Sequence, residues 1–260
     1  MAERGLTARE MISSGNDHES LSNQRILLID TVRGVAIFGV VLFHFVWDLE
    51  FSGLIDGIAF HPVWLAFGRL LAGTFMFLVG VSLVLAHGKG LKLNRFVTRV
   101  AMIGAAAISI SFVTWIAFPQ TYIFFGILHA IAVSSLLGVL FLNLPALVSL
   151  ISGAGLLILP QFLKLELFNT RWLAWIGVSS SPPPSNDFVP ILPWAGLTLI
   201  GVFLAKIFYK KSGDSRSFPD LHNTKLTRIL SWMGRNSLLI YLVHQPLLLV
   251  IILPVARMLR

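Results

Sequence analysis

The chain has 260 residues, of which 56% are hydrophobic and 12% charged, with a mean hydropathy of +0.82. A soluble domain carries about a quarter of its residues as charges, so this composition excludes one and makes lipid the solvent. The formal charge of +8 does not point to nucleic acid, because the basic residues stand between apolar runs, where they orient helices. With no cysteine, disulfides, thiolate metal sites and a cysteine nucleophile are excluded as well.

Spanning elements in lipid must satisfy their own backbone groups, as helices or as a closed barrel. Apolar runs near the ~20 residues that a bilayer requires, without the dyad alternation of barrel strands, predict an all-α, polytopic transmembrane helix bundle of about seven spanning helices. Residues 1–25 are polar and mixed in charge, unlike a cleavable signal peptide, and are expected to be a cytoplasmic segment. Residues 26–260 are then a single transmembrane domain. Its spans are predicted at 27–49, 63–86, 96–117, 123–142, 144–163, 189–209 and 233–256. With a cytoplasmic N-terminus, the inner segments hold Arg4, Arg9 and Arg25, then Lys89, Lys92, Arg95 and Arg99, then Lys206, Lys210, Lys211, Arg216, Lys225, Arg228 and Arg235. The outer side has little beyond Lys164, Arg171, Arg257 and Arg260, which satisfies the positive-inside rule.

An ionisable residue within a membrane helix is costly unless it faces a polar cavity or a partner, so each is a candidate for function. The first span holds Asp30, Arg33, His44 and Asp48 at spacings of 3, 11 and 4, which place them along one helical stripe. At 1.5 Å per residue His44 stands about 21 Å above Asp30, so one helix reaches both ends of a conduit. Asp48, one turn beyond His44, is expected to orient its imidazole for acid/base work. Asp30 and Arg33 form an i,i+3 pair at the helix entrance, where Arg33 beside Gly34 also suits a phosphate. Arg69 follows in the second span, with Gly73 and Gly80 leaving room for another helix.

The fourth span opens on Gly126-Ile-Leu-His129, at a depth comparable with that of His44. The long outer loop, 165–188, has a Ser-Pro run from Ser179 to Pro184 that cannot be helical, and the stretch from Arg171 to Val178, with Trp172 and Trp175, reads as an interfacial segment. The last span carries His244 and Gln245 just before Pro246, whose ring frees a backbone carbonyl. A metal site of His44, Asp48 and His129 is chemically allowed, but no closely spaced ligand motif supports it, so no metal is expected. His18, His61, His87 and His222 are read as loop residues.

Five segments together resemble the heparan-α-glucosaminide N-acetyltransferase catalytic-domain family (DUF1624), within the wider group of transmembrane acyltransferases. They are Arg25-Ile-Leu-Leu-Ile-Asp30-Thr-Val-Arg33-Gly34, Phe75-Met-Phe-Leu-Val-Gly80-Val-Ser82, Gly126-Ile-Leu-His129, Pro193-Trp194-Ala-Gly196 with Gly201, and Gly234 through Ser237, Tyr241 and His244 to Pro246. The resemblance implies a cytoplasmic acyl-CoA, usually acetyl-CoA, whose acyl group crosses the bilayer to an acceptor on the far side. On that reading Asp30, Arg33 and Gly34 sit at the donor mouth. His44 is base or acyl carrier, oriented by Asp48, and Arg69, His129, His244 and Gln245 line the substrate cavity. Animal members carry a different polar residue at the position of His44 and a proposed catalytic histidine farther into the loop, which leaves His61 as the second candidate here. The heparan substrate is not carried over. The expected acceptor is a sugar amine or hydroxyl of an envelope glycan, or another small molecule, and the expected location is the inner (plasma) membrane, with a second copy of the chain as a further candidate partner. The alternatives are a small-solute or proton-coupled transporter, in which the same histidines relay protons, and a helix-bundle scaffold.

Overall fold

The computed structural model describes residues 8–88, 90–211 and 224–259. Of the residues singled out above, Arg4, Lys89, Arg216, His222 and Arg260 lie outside them. The described chain is helical: α1 (Ala8–Phe51), α2 (Pro62–His87), α3 (Leu93–Ala117), α4 (Ile127–Leu140), α5 (Ala146–Phe162), the single turn α6 (Arg171–Ala174), α7 (Ile191–Lys211), α8 (Lys225–Arg235) and α9 (Ser237–Met258). A short 3-10 turn, Glu166–Phe168, and two isolated bridges, Phe125 to Phe188 and Leu165 to Ser179, complete the outer loops.

Five helical stretches are long and apolar enough to cross a bilayer: Leu27–Phe51, Pro62–His87, Leu93–Ala117, Ile191–Phe208 and Ser237–Met258. The segments expected to be the fourth and fifth spans form shorter helices of 14 and 17 residues. At 1.5 Å per residue α4 rises about 21 Å, less than the ~30 Å of a hydrocarbon core. The last predicted span is also two elements, because the helix breaks at Asn236 between α8 and α9. In α8 the apolar Leu226, Ile229 and Trp232 are exposed, while Ser231 and Gly234 are buried. That pattern suits a helix lying at the bilayer surface. At the other end α1 continues back to Ala8, through most of the segment read as a polar N-terminal stretch.

Packing relies on small residues where backbones meet, as lipid-embedded helices generally do. A Cβ on Gly34 would lie 1.9 Å from the carbonyl oxygen of Leu230, and one on Gly234 would lie 1.8 Å from that of Asp30, so α1 and α8 are in backbone contact. Gly80 and Gly201 do the same for α2 and α7, facing the carbonyls of Thr198 and Phe77, and Thr198 Oγ1 donates to the Met76 carbonyl at 2.8 Å. Around this seam Met76, Phe125, Ile127, Ala130 and Val189 form a buried core. At the far end of α4, Lys206 Nζ donates to the carbonyls of Phe141 and Leu144, at 2.5 and 2.6 Å, covering groups the helix end leaves open.

Gly34→Val is therefore expected to separate α1 from α8 and to cost at least the ~1–3 kcal/mol of an overpacked core. A fall in the melting temperature of the detergent-purified protein checks it, with Gly104→Val, which meets nothing within 4 Å, as the control that should not move.

Candidate active site

The helices border a partly open cavity of about 570 Å³, lined by residues from both ends of the bundle. On α1 alone its lining extends from Arg33 through Ile37 and Val40 to His44 and Trp47, a rise of about 21 Å. Arg33, Arg99 and Arg235, from α1, α3 and the end of α8, line one end. Apolar side chains of α2, α3 and α4 form the middle, among them Leu78, Met102 and Ile131. His44, Trp47, Arg69, Asn186, Asp187 and Trp194 line the other end.

At the arginine end, Arg33 Nη1 pairs with Asp30 Oδ1 at 3.3 Å and Nη2 donates to Ser82 Oγ at 2.8 Å. That is the one ion pair among the described residues, so three guanidinium groups share one nearby carboxylate. Such a surplus of positive charge in a low dielectric attracts an anion, and guanidinium forks suit phosphate oxygens. Asp30 itself stands behind Arg33 and outside the lining, and Gly34 faces α8, so its role is helix packing.

At the other end, His44 Nδ1 donates to the Val40 carbonyl at 2.9 Å. A carbonyl only accepts, so that nitrogen carries the proton in the neutral ring and Nε2 holds the lone pair. This differs from the arrangement expected for Asp48, whose Oδ1 accepts from Gln245 Nε2 at 2.7 Å. The histidine side chain leans toward the N-terminus of its own helix and finds the i−4 carbonyl, while Asp48 ties α1 to α9. His244 packs edge-on to His44 with ring centroids 4.8 Å apart and donates from Nδ1 to the Tyr241 carbonyl at 2.6 Å. His244, Gln245 and Asp48 thus stand as a layer behind His44, outside the cavity lining.

His129 is also outside the lining, and both its nitrogens are engaged. Nδ1 accepts from the Gly126 N–H at 3.2 Å, and Nε2 lies 3.2 Å from Ser111 Oγ, whose own proton goes to the Ile123 carbonyl. His129 is therefore a neutral ring that caps α4, and the metal set of His44, Asp48 and His129 is not assembled. Among the described residues no three His, Asp or Glu side chains converge on a metal-sized site.

The sequence pattern described as "Heparan-alpha-glucosaminide N-acetyltransferase, catalytic" matches residues 25–246. The chain belongs to that family. No curated protein and no solved structure matches it significantly. The match covers every residue that lines the cavity and ends within α9, just past His244 and Gln245. As a member of the heparan-α-glucosaminide N-acetyltransferase catalytic family, the chain is a membrane enzyme of the acetyltransferase type.

Four lining residues escape a search confined to ionisable groups in the middle of spans. Arg99 and Arg235 count there only as cytoplasmic charge, and Tyr241 only as part of a motif. Asp187 lies in the outer loop, in Ser185-Asn186-Asp187-Phe188 after the proline run, and its Oδ2 accepts from the Ile127 N–H at 2.9 Å and from the Tyr241 hydroxyl at 3.2 Å. Burial raises its carboxyl above the usual aspartate range, and the hydrogen bonds from Ile127 and Tyr241 pull it partly back. The available signal was weak, an acid placed between a Pro-rich stretch and an apolar helix, because a carboxylate in an outer loop is ordinarily solvated.

His129→Ala should lower thermal stability by about 1 kcal/mol or more, as loss of a helix cap does, while leaving acyl-donor binding unchanged. Melting curves together with donor titrations check this; weakened donor binding without lost stability would contradict the capping role.

Proposed function

We propose that this protein transfers an acetyl or other acyl group from a cytoplasmic acyl-CoA, through the cavity, to an amine or hydroxyl on the far side of the inner (plasma) membrane. The observation that carries the reading is the sequence of groups along the cavity: a cluster of three guanidinium groups at one end, an apolar middle, and at the other an imidazole with a lone pair in company with Arg69 and Asp187. A CoA donor has that same sequence of parts, with a phosphate-rich head, a slender arm and a thioester at its tip. Arg33, Arg99 and Arg235 would hold phosphate oxygens, with Asp30 steadying Arg33. The apolar walls would exclude water from the arm, which keeps the thioester from hydrolysis.

His44 is then the group that meets the acyl carbon or its acceptor. Its Nδ1–H is fixed on Val40, so Nε2 serves as base toward an acceptor N–H or O–H, or as the nucleophile that carries the acyl group between two half-reactions. His244 acts by packing against the His44 ring, while the Asp48–Gln245 hydrogen bond ties α1 to α9 beside it. Orientation follows from charge, with the face carrying Lys92, Arg95, Lys225 and Arg228 cytoplasmic and the 165–188 loop outside.

Release of CoA from acetyl-CoA by the purified protein, with and without amino-sugar acceptors, tests the reading. Arg99→Ala and Arg235→Ala are each expected to raise the acetyl-CoA KM about tenfold, the worth of one charge-assisted hydrogen bond. His44→Ala should cut turnover by about 10²–10⁴ at an unchanged donor KM. If the folded wild type neither binds nor consumes any acyl-CoA, the acyltransferase reading is wrong and solute transport takes its place. Orientation has its own test, because the chain has no native cysteine. A cysteine at Ser181 should react with an impermeant maleimide in intact spheroplasts, and one at Lys225 only after the membrane is opened; the reverse pattern would invert the assignment of donor and acceptor sides.

A further inference from the structure

Asp187 is the one acidic side chain in the cavity lining among the described residues, and it stands at the end opposite the three arginines. Its two oxygens are used differently. Oδ2 is pinned by the Ile127 N–H at 2.9 Å and by the Tyr241 hydroxyl at 3.2 Å, while Oδ1 has no partner among the described residues. The fit around Oδ2 is tight enough that a Cβ on Gly126 would come within 2.2 Å of it.

The backbone carrying this carboxylate is held as firmly. The Asn186 N–H donates to the Thr121 carbonyl at 2.8 Å and the Val189 N–H to the Phe125 carbonyl at 3.1 Å. Ser185 Oγ bridges the carbonyls of Tyr122 and Asp187, at 3.1 and 2.8 Å. The loop is thus fastened to the segment leading into α4 on both sides of Asp187. Capping α4 alone would need only Oδ2, which leaves Oδ1 over on a half-buried residue of the cavity lining. Tyr241 reaches the same oxygen from another helix, so the group is oriented as well as satisfied.

We infer that Asp187 is the acceptor-holding residue: its free Oδ1 accepts the N–H or O–H of the attacking amine or hydroxyl and presents that group toward the acyl carbon beside His44. The inference rests on the acyl-transfer reading for its chemistry, and on the geometry alone for the binding of a hydrogen-bond donor. Tyr241 is a positioning residue that acts through Asp187. With His44 working on the acyl side, the two ends of the bond to be made have separate attendants, and loss of Asp187 should be felt by the acceptor and not by the donor.

The test uses full-length purified protein, glucosamine as the probe acceptor and acetyl-CoA as donor. Asp187→Asn keeps the size of the side chain and an oxygen for the Ile127 N–H, and is compared with Tyr241→Phe and wild type. Measured are kcat and KM for each substrate, CoA release without acceptor, equilibrium binding of glucosamine in the absence of donor, and melting temperature. The expected result for Asp187→Asn is a loss of about tenfold or more in glucosamine kcat/KM and in glucosamine binding, with the acetyl-CoA KM within about twofold of wild type. Tyr241→Phe should move the same quantities in the same direction by less. An unchanged glucosamine kcat/KM in Asp187→Asn overturns the inference while acyl transfer stands. Equal losses for both substrates with a lowered melting temperature also overturn it, leaving Asp187 a cap for α4. If wild type binds glucosamine and Asp187→Asn does not, but acetyl-CoA is never consumed, the binding site stands and the acyltransferase reading falls. Failure of the wild type to bind glucosamine counts against the inference.

Discussion

Backbone contact between α1 and α8 fixes where the charges of this protein can stand. With no side chain at Gly34 or Gly234, the two helices touch at the carbonyls of Leu230 and Asp30. That contact brings Arg33 on one helix and Arg235 on the other to the rim of a single cavity, with Arg99 of α3 completing the group. Cations near the end of a span are tolerated where a polar cavity, a partner such as Asp30 or the membrane surface meets them, and this cavity gathers the three at one such place. The seam of Gly80 and Gly201 does comparable work between α2 and α7, and from there the wall of the cavity continues to the opposite face.

The charged stripe on the first span was legible from spacing alone, and two of its members, Arg33 and His44, do border the cavity. Asp30 and Asp48 lie one turn from them on the same stripe but turn to other partners, Asp30 to Arg33 and Asp48 to Gln245 of α9. Periodicity gives the face of a helix and not the direction of a side chain upon it, because χ angles answer to neighbours from distant sequence. The same limit applies to His129, whose depth resembles that of His44 while its two nitrogens are absorbed by Gly126 and Ser111.

Span counting shows a second limit. Apolar content around residues 123–163 is high enough for two spans, yet Pro145 and the polar contacts at each end of α4 shorten what becomes helical. The break at Asn236 likewise divides a stretch that is continuous in hydropathy. Hydropathy measures the solvent a segment prefers, whereas helix ends are settled by hydrogen-bond partners, here Asp187, His129 and Lys206, that lie 60 or more residues away or are small terms in any window average.

Helix α4 is met at both ends by side chains from distant sequence, Asp187 on its first amide and Lys206 on the C-cap carbonyl of Phe141 and on that of Leu144 just beyond. An acid at the positive end and an amine at the negative end suit the helix dipole. The polar groups at the two ends of α4 are therefore about 21 Å apart, closer together than the ~30 Å thickness of a hydrocarbon core. Polar groups at both ends of this short helix give its side of the bundle a narrower apolar band than the five longer helices provide.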